Sequence, residues 1–443
     1  MKIDLLIHPR QILTMTGQLL ERHALAIQGG KVLTLLPAGE AERTYEAEQA
    51  FTLPGHLVMP GFVNAHTHLG MNLLRGLADD VALEDWLEKY IWPAEAAVVS
   101  PEFIRDGALL GMAELIRGGV TCFNDMYYLQ GELARAVEEV GLRAVLSEGI
   151  LKFDHPERDI ERTRELVDYA RSSSRVRVAI APHSPYAVDI PLLEKIANFA
   201  GRHGVLIHSH VQETRREIDF HLAEYGRRPL ALWEELGLLG PRTLAVHMTH
   251  VDAEDLATLA RTGTHVVHCP KSNMKLASGV CPVRDMQRLG INVALGTDGA
   301  ASSNDLDMLG EMKFAALLSK LSSGDPRSLG AEAVLRMATV NGARALGWER
   351  EIGSLEAGKA ADLIAIDLES IETLPCYEPM AQLVHATPRS RVTHVWVNGR
   401  LLLDNRRLTT IDEEALLIRA RRWQARLQPF ARKSKGGGHH VQS

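Results

Sequence analysis

The sequence predicts an α/β protein, a (β/α)8 TIM-type barrel carrying a small composite β-sandwich built from the two ends of the chain. Short apolar strands alternate with amphipathic helical stretches through the middle of the chain, the signature of parallel βα units. The alternation yields eight candidate strands, the number that closes a barrel. Both ends read instead as β-rich, with hairpin turns. Counting alone leaves a doubly wound open sheet as the other arrangement.

The elements follow in order. Leu25–Gln28, a Gly29-Gly30 turn and Lys31–Leu33 form a predicted hairpin within a β-rich opening segment. Barrel strands are expected at Leu57–Ala65, Val120–Asn124, Ala144–Ser147, Val178–Pro182, Val205–Ser209, Leu244–Val246, His265–Cys269 and Val293–Thr297. A helix is expected over Ala333–Leu346, apolar at Val334, Leu335, Met337, Ala338 and Leu346 and stopped by Gly347 at C′. Farther on, Asp362–Ile366 and Val392–Val397 are strand-like, the latter turning at Asn398-Gly399 into Leu401–Leu403.

The expected division is residues 1–58 as the first part of the sandwich, 59–355 as the barrel and 356–410 as the second part. Residues 411–432 are expected as a C-terminal helix, and 433–443 as a disordered tail. The tail is polar and Gly-rich, so its adjacent His439 and His440 are left out of the site.

A chain of 443 residues holds one barrel of about 250 residues and a smaller appendage. Its composition is that of an ordinary soluble globular protein, which argues against a disordered or fibrous class. A formal net charge of -7 argues against a nucleic-acid partner and for a small molecule. Cys122, Cys269, Cys281 and Cys376 form no Cys-x-x-Cys pair, so neither a disulfide framework nor a cysteine zinc ribbon is expected, and a reducing cytoplasm fits. The stretch Met1–Arg10 stops being apolar too soon for a signal peptide, and no run approaches membrane-spanning length. Neither export nor a membrane anchor is expected.

Polar residues gather where the strands end. His66 and His68, His183, His208 and His210, His247, and Asp298 all fall at carboxyl ends of proposed strands, the face on which TIM barrels build their active sites. His66 and His68 lie two apart on an extended segment and so point to the same side, within reach of one metal ion. Alone, that His-x-His reads more readily as a hydrogen-bonded pair at a strand end; the other strand ends reverse the balance toward the metal. Glu213 follows His210 by three residues, which sets a carboxylate beside an imidazole and makes His210 a better ligand candidate than His208. Asp298, otherwise readable as a helix N-cap, completes a site of three histidines and one carboxylate with a position open to water. Zinc is the expected ion, with iron as the alternative. His247 could hydrogen-bond the water and a substrate atom, or be a satisfied core histidine. His155, His203, His221, His265 and His394 fall on proposed surfaces or structural strands and receive no chemistry.

These residues sit in longer motifs. Pro60–His68, Leu73–Gly76, Ala181–Tyr186, His210–Thr214 and Leu295–Ser302 resemble the amidohydrolase superfamily, specifically its 5-methylthioadenosine/S-adenosylhomocysteine deaminase branch. The resemblance covers nearly the whole chain, including the terminal β segments. It implies that His66, His68, His210 and Asp298 are the metal ligands, Glu213 the general acid/base, and His247 the group that positions the hydrolytic water. It implies a single metal, because Ala181-Pro182-His183 stands where two-metal members place a bridging lysine or acid. On the substrate side it implies that Trp86 and Glu95 enclose a nucleoside, the acid taking the ribose hydroxyls, and that His183 reaches the ribose-base region. Arg158, or alternatively Arg162, would meet an amino-acid carboxylate. The implied partner is a small-molecule nucleoside, in a homo-oligomeric enzyme. Fold and ligands alone are shared with guanine or cytosine deaminases and chloride-releasing triazine hydrolases, and a metal-free scaffold is the reading from a different class.

Overall fold

In a computed structural model of the chain, residues 1–432 are described; the expected disordered tail and its two histidines lie outside them. Among the described residues, seventeen strands divide between two sheets. Nine form a mixed sheet from both ends of the chain: β1 (Lys2–Leu13), β2 (Leu19–Glu21), β3 (His23–Gln28), β4 (Lys31–Pro37), β5 (Glu46–Pro60) and, from the far end, β14 (Leu363–Asp367), β15 (Val392–Val397), β16 (Arg400–Asp404) and β17 (Arg407–Leu408). The other eight, β6 (Phe62–Thr67), β7 (Val120–Tyr127), β8 (Arg143–Ile150), β9 (Val176–Pro182), β10 (Leu206–Val211), β11 (Thr243–His247), β12 (His265–His268) and β13 (Val293–Leu295), pair in parallel in sequence order.

The expected barrel and composite β appendage are therefore both present. In the mixed sheet the order is β17-β16-β15-β14-β5-β1-β3-β4, with β2 beside β1. Ile7, Leu25, Ile27, Val58, Leu363 and Trp396, drawn from both ends of the chain, pack there into one buried apolar cluster. This is why neither terminal segment can bury its apolar face without the other.

Two expected elements differ from the structure. The apolar run Leu57–Ala65 is two strands: its start belongs to β5, paired with β14, and its end to β6, paired with β7. The break falls at Gly61, where an added Cβ would come within 2.2 Å of the Thr121 side chain, so only a glycine lets the backbone cross there. The expected helix Ala333–Leu346 is also broken, into Ala331–Met337 and Val340–Ala345, because Thr339 leaves the helical region at φ -136° and ψ -91°. Gly347 does take the left-handed conformation expected after the helix, with φ +70°.

The barrel closes through a few side-chain and backbone hydrogen bonds. Beyond β13, Asn64 of β6 donates to Thr297 Oγ1 at 2.7 Å and accepts from the Thr297 N–H at 3.0 Å, while the Asp298 N–H donates to the His66 carbonyl at 3.0 Å. A Cβ on Gly296 would stand 2.7 Å from the His66 Cβ, so a glycine is required for the two edges to approach.

Arg143 of β8 and Asp362, just before β14, join barrel to sheet. The guanidinium donates to Asp362 Oδ2 at 2.7 Å, to Asn398 Oδ1 and to the Ser174 carbonyl, and the two charged side chains are only 3% and 1% exposed. Burying such a pair is costly, but removing one partner is costlier because it strands the other. Asp362→Ala is expected to destabilise the protein by about 3–5 kcal/mol, measured by urea unfolding at neutral pH.

Candidate metal centre and active site

The strand ends bring His66, His68, His210, His247 and Asp298 together inside the barrel mouth, all buried. Asp298 Oδ1 lies 3.3 Å from His66 Nε2 and 3.1 Å from His68 Nε2, and His68 Nε2 lies 3.3 Å from His210 Nε2. Donor atoms fall into two triads that share His66: His66, His68 and Asp298, and His66, His210 and His247, each with all atoms within 4.8 Å of one another. Thus His247, expected beside the water, also stands within donor range.

Each imidazole is held from behind. Nδ1 of His68 donates to the Met126 carbonyl, that of His210 to the His183 carbonyl at 2.8 Å, and that of His247 to Asn273 Oδ1 at 2.8 Å. An oxygen acceptor fixes the proton on Nδ1, leaving the Nε2 lone pair of the neutral ring for the centre. His66 Nδ1 faces His208 Nε2 at 2.8 Å, and His208 in turn contacts Ser147 Oγ at 3.3 Å, whose hydroxyl donates to the Asp125 carbonyl at 2.8 Å. His208 is thereby a support for His66 and not a member of either triad.

The donors fit a metal ion. His66 Nε2 is fully enclosed with no hydrogen-bond partner, a cost that coordination would remove. The 3.1–3.3 Å separations match the edges of a tetrahedron with ligand bonds of roughly 2.0–2.1 Å. Burial lowers His66 to a pKa of about 3 and takes His210 well below the ordinary value, so both offer lone pairs at neutral pH. Burial also opposes the charge on His68, but Asp298 and the Met126 carbonyl outweigh it and raise that ring to about 9. Asp298 is buried too, yet the two imidazoles beside it hold its carboxyl well below the usual range.

Several positions are strained. Gln212, His247, Met248 and Asp298 have φ values of +53°, +75°, +47° and +61°, the left-handed region that ordinary side chains avoid. Hydrogen bonds hold Asp298: Ser272 Oγ donates to its Oδ2 at 2.6 Å and the Gly299 N–H to its Oδ1 at 2.8 Å.

Glu213 stands beside this group with Oε2 3.8 Å from His247 Nε2 and Oε1 accepting from Ser278 Oγ at 3.2 Å. Burial raises its pKa, against the opposing pull of His247, so its carboxyl binds a proton more readily than an exposed one.

A cleft opens from the donors and is lined by His183, Glu213, His247, Asp298 and a largely apolar wall. That wall includes Trp86, Ile91, Trp92 and Glu95 from a helical stretch, Leu83–Val98, that widens into a π-helical turn over Leu87–Ile91. Glu95 is 7% exposed and accepts from the Tyr127 hydroxyl at 2.6 Å; burial overcomes that bond and raises its pKa to about 7. The His183 ring lies 4.7 Å, centroid to centroid, from that of His210, and burial lowers its pKa to about 4.

Arg158 and Arg162 stand apart from the donors. They line an adjoining chamber that shares Trp92, Glu95, Tyr128 and Leu151 with the cleft, and both are paired with the buried Asp159 carboxylate, at 3.7 and 3.2 Å. His221, expected without chemistry, is buried in the helix Arg215–Tyr225 and plays no part in the cluster. The sequence reading missed Tyr127, Ser272, Asn273 and Ser278. The run Pro270–Ser278 directly after a barrel strand was the available signal, since such loops carry function in this fold.

Comparisons with known proteins agree with this geometry. The model of the amidohydrolase family matches residues 57–402. A 5-methylthioadenosine/S-adenosylhomocysteine deaminase from Teredinibacter turnerae is 44% identical over 409 residues, covering 91% of this chain and 92% of that protein. The crystal structure of an adenosine deaminase from Xanthomonas campestris with bound zinc superposes with a TM-score of 0.95 at 41% identity, covering 97% and 99% of the two chains. The atrazine chlorohydrolase from Arthrobacter aurescens, complexed with zinc, shares the fold at a TM-score of 0.88 but only 23% identity, covering 95% and 100%.

Two outcomes follow from the geometry. His208→Leu removes the support of His66, and zinc affinity in a chelator competition is expected to fall about 10–100-fold with the fold intact. The second concerns Glu95, whose folded pKa of about 7 lies above its ordinary 4.5, so the stability its neutral form contributes at low pH is lost as pH rises through 7. In metal-free protein, Glu95→Gln should gain about 3 kcal/mol relative to the parent between pH 4.5 and pH 7.5, measured by urea unfolding.

Proposed function

The chain belongs to the amidohydrolase family, and we propose that it is a zinc-dependent deaminase of adenine nucleosides, acting on S-adenosylhomocysteine and 5′-methylthioadenosine, with adenosine and 5′-deoxyadenosine as further candidates. The observation that carries the reading is the meeting of a four-histidine, one-carboxylate donor group with Glu213 at the floor of an aromatic-walled cleft that also holds a single deep acid, Glu95.

His66, His68, His210 and Asp298 would hold one zinc ion, with iron as the alternative metal. Bound there, the ion supplies Lewis acidity and lowers the pKa of a water molecule into the neutral range. The side chains divide the remaining work. Asp298 accepts the proton that the attacking water gives up, at the carboxylate that Ser272 and the Gly299 N–H hold in place. Water oxygen bonds to C6 of the adenine ring while Glu213 delivers a proton to N1, giving a tetrahedral carbon. His247, its Nδ1 fixed by Asn273, turns the Nε2 lone pair toward the hydroxyl on that carbon and holds it by accepting its hydrogen bond. Glu213, now a carboxylate, takes the C6 hydroxyl proton as the C6–O double bond forms and passes it to the departing amino group; the C6–N bond breaks, Asp298 returns the water's first proton to Glu213, and the products are the inosine analogue and ammonia.

On the substrate side, Trp86 offers a face for the nucleoside, Glu95 accepts from the ribose hydroxyls, and His183 lies toward the ribose-base region. Arg158 and Arg162 belong to the adjoining chamber, where a 5′ substituent ending in a carboxylate would draw one of them from Asp159. Residues 1–58 with 356–410 as the sandwich and 59–355 as the catalytic barrel remain our division of the chain, with 411–432 as a terminal helix. The four cysteines are free thiols, and no helix among the described residues is long and apolar enough to cross a membrane, which supports a cytoplasmic setting and a small-molecule partner. A homo-oligomer is the assembly to look for by light scattering.

The wild-type protein is expected to bleach the adenine absorbance of at least one of the four nucleosides and to release ammonia; silence from all four moves the reading to a guanine, cytosine or triazine substrate. Glu213→Gln should lower kcat about 100–10,000-fold while metal content stays at the wild-type level. A metal-loaded Gln variant with normal turnover would remove Glu213 from the mechanism.

A further inference from the structure

One short segment after β12 reaches three polar side chains of the site. Over Pro270–Ser278, Ser272 donates to Asp298 at 2.6 Å, Asn273 accepts from His247 at 2.8 Å, and Ser278 donates to Glu213 at 3.2 Å. Leu276, in the same segment, lines the cleft. The residue beside it, Lys275, turns away and bonds elsewhere. Its Nζ donates to Asp79 Oδ1 at 2.6 Å, to Asn304 Oδ1 and to the Ala301 carbonyl at 3.4 Å.

Asp79 stands where the chain enters the helical stretch that roofs the cleft. Gly76 and Asp80 on either side of it take left-handed φ values of +68° and +56°, and the stretch Leu83–Val98 then carries Trp86 and Glu95 over the donors. The far end of the chain clamps the same entrance: Arg432 donates from its backbone N–H to the Leu77 carbonyl at 2.8 Å and from its guanidinium to the carbonyls of Asp79 and Asp80. Trp86 and Ile91 share one apolar cluster with Trp423 and Leu427 of the last helix. The entrance to the roof thus meets the segment Pro270–Ser278 through the ion pair of Lys275 with Asp79, to which Asn304 also donates at 3.2 Å, while the roof helix is tied separately to the residues after Glu213 by Arg216 with Glu84 at 3.7 Å.

We propose that Lys275 is a positioning residue: through Asp79 it makes the aim of Asp298, His247 and Glu213 depend on the roof being seated. With the roof in place, Lys275 is drawn to Asp79, and the segment that carries Ser272, Asn273 and Ser278 is held in register. With the roof displaced, Lys275 loses its carboxylate partner and that register relaxes. The link ties binding of the nucleoside, which the roof covers, to the geometry of the groups that transfer protons. The assay of this idea rests on the deaminase reading; the coupling itself does not.

The test uses the full metal-loaded chain with Lys275→Met, Asp79→Asn and the double variant. Each single change is expected to lower kcat about 10-fold or more, since small misplacements far from the chemistry act on rate, and to raise KM as Trp86 and Glu95 lose their seat, with metal content unchanged. The double variant should lose no more than the worse single, because both remove one interaction. Amide hydrogen exchange should quicken together in residues 83–98 and 270–278 of Lys275→Met. Wild-type kcat and KM in a folded, metal-loaded Lys275→Met, losses that multiply in the double variant, or faster exchange confined to residues 270–278 would each overturn the proposal. If the wild-type protein turns over none of the nucleosides, the deaminase reading falls, and the exchange experiment still decides the coupling.

Discussion

Four imidazoles and a carboxylate share a space from which water is nearly excluded, and the rest of the site is arranged around what that costs. Polar groups buried so deeply need partners. Every ring finds one for Nδ1 in the wall behind it, in Met126, His183, Asn273 or His208, so all four Nε2 atoms turn inward. The centre then has lone pairs and the Asp298 negative charge, which His68 alone answers with a proton, and His66 Nε2 stays unpartnered among the protein atoms. The left-handed backbone at His247 and Asp298 is strain accepted for this convergence.

The two halves of the cleft differ in character. Its floor is polar and tightly bonded, each reactive group held by a neighbour. Its roof is apolar and aromatic, interrupted by one acid that burial holds near neutrality in its titration. Such a pairing suits a flat, largely apolar ring with a polar sugar attached, and on the function proposed above it separates the groups assigned to recognition from those assigned to the reaction.

Much of this was legible before any coordinates. Period-two spacing set His66 beside His68, and the strand ends set both near His210, His247 and Asp298, because parallel βα units put all carboxyl ends on one face. Less legible was whatever depends on interruption. The run Leu57–Ala65 is apolar throughout, and only Gly61 marks where it passes from one sheet to the other; Thr339 likewise breaks a helix that apolar spacing alone would continue. Hydrogen-bonding partners were harder still. Ser272, Asn273 and Ser278 are ordinary loop residues in a linear string, and their link to three reactive side chains exists only once β11, β12 and the segment after β13 lie side by side. The pairing of Arg158 and Arg162 with Asp159 was hidden for the same reason.

The seam between β6 and the residues after β13 has a consequence for how the molecule is made. His66 and His68 belong to the first barrel strand, and Asp298 follows the last, so a chain still being synthesised carries two of its histidines for more than two hundred residues before the carboxylate arrives. The contacts that bring these ends together are among the longest-range in the fold, and such contacts form late because a large loop must close first. Completion of the donor group therefore waits on the segment after β13, and a truncated chain that lacks it would hold its histidines without the carboxylate beside them.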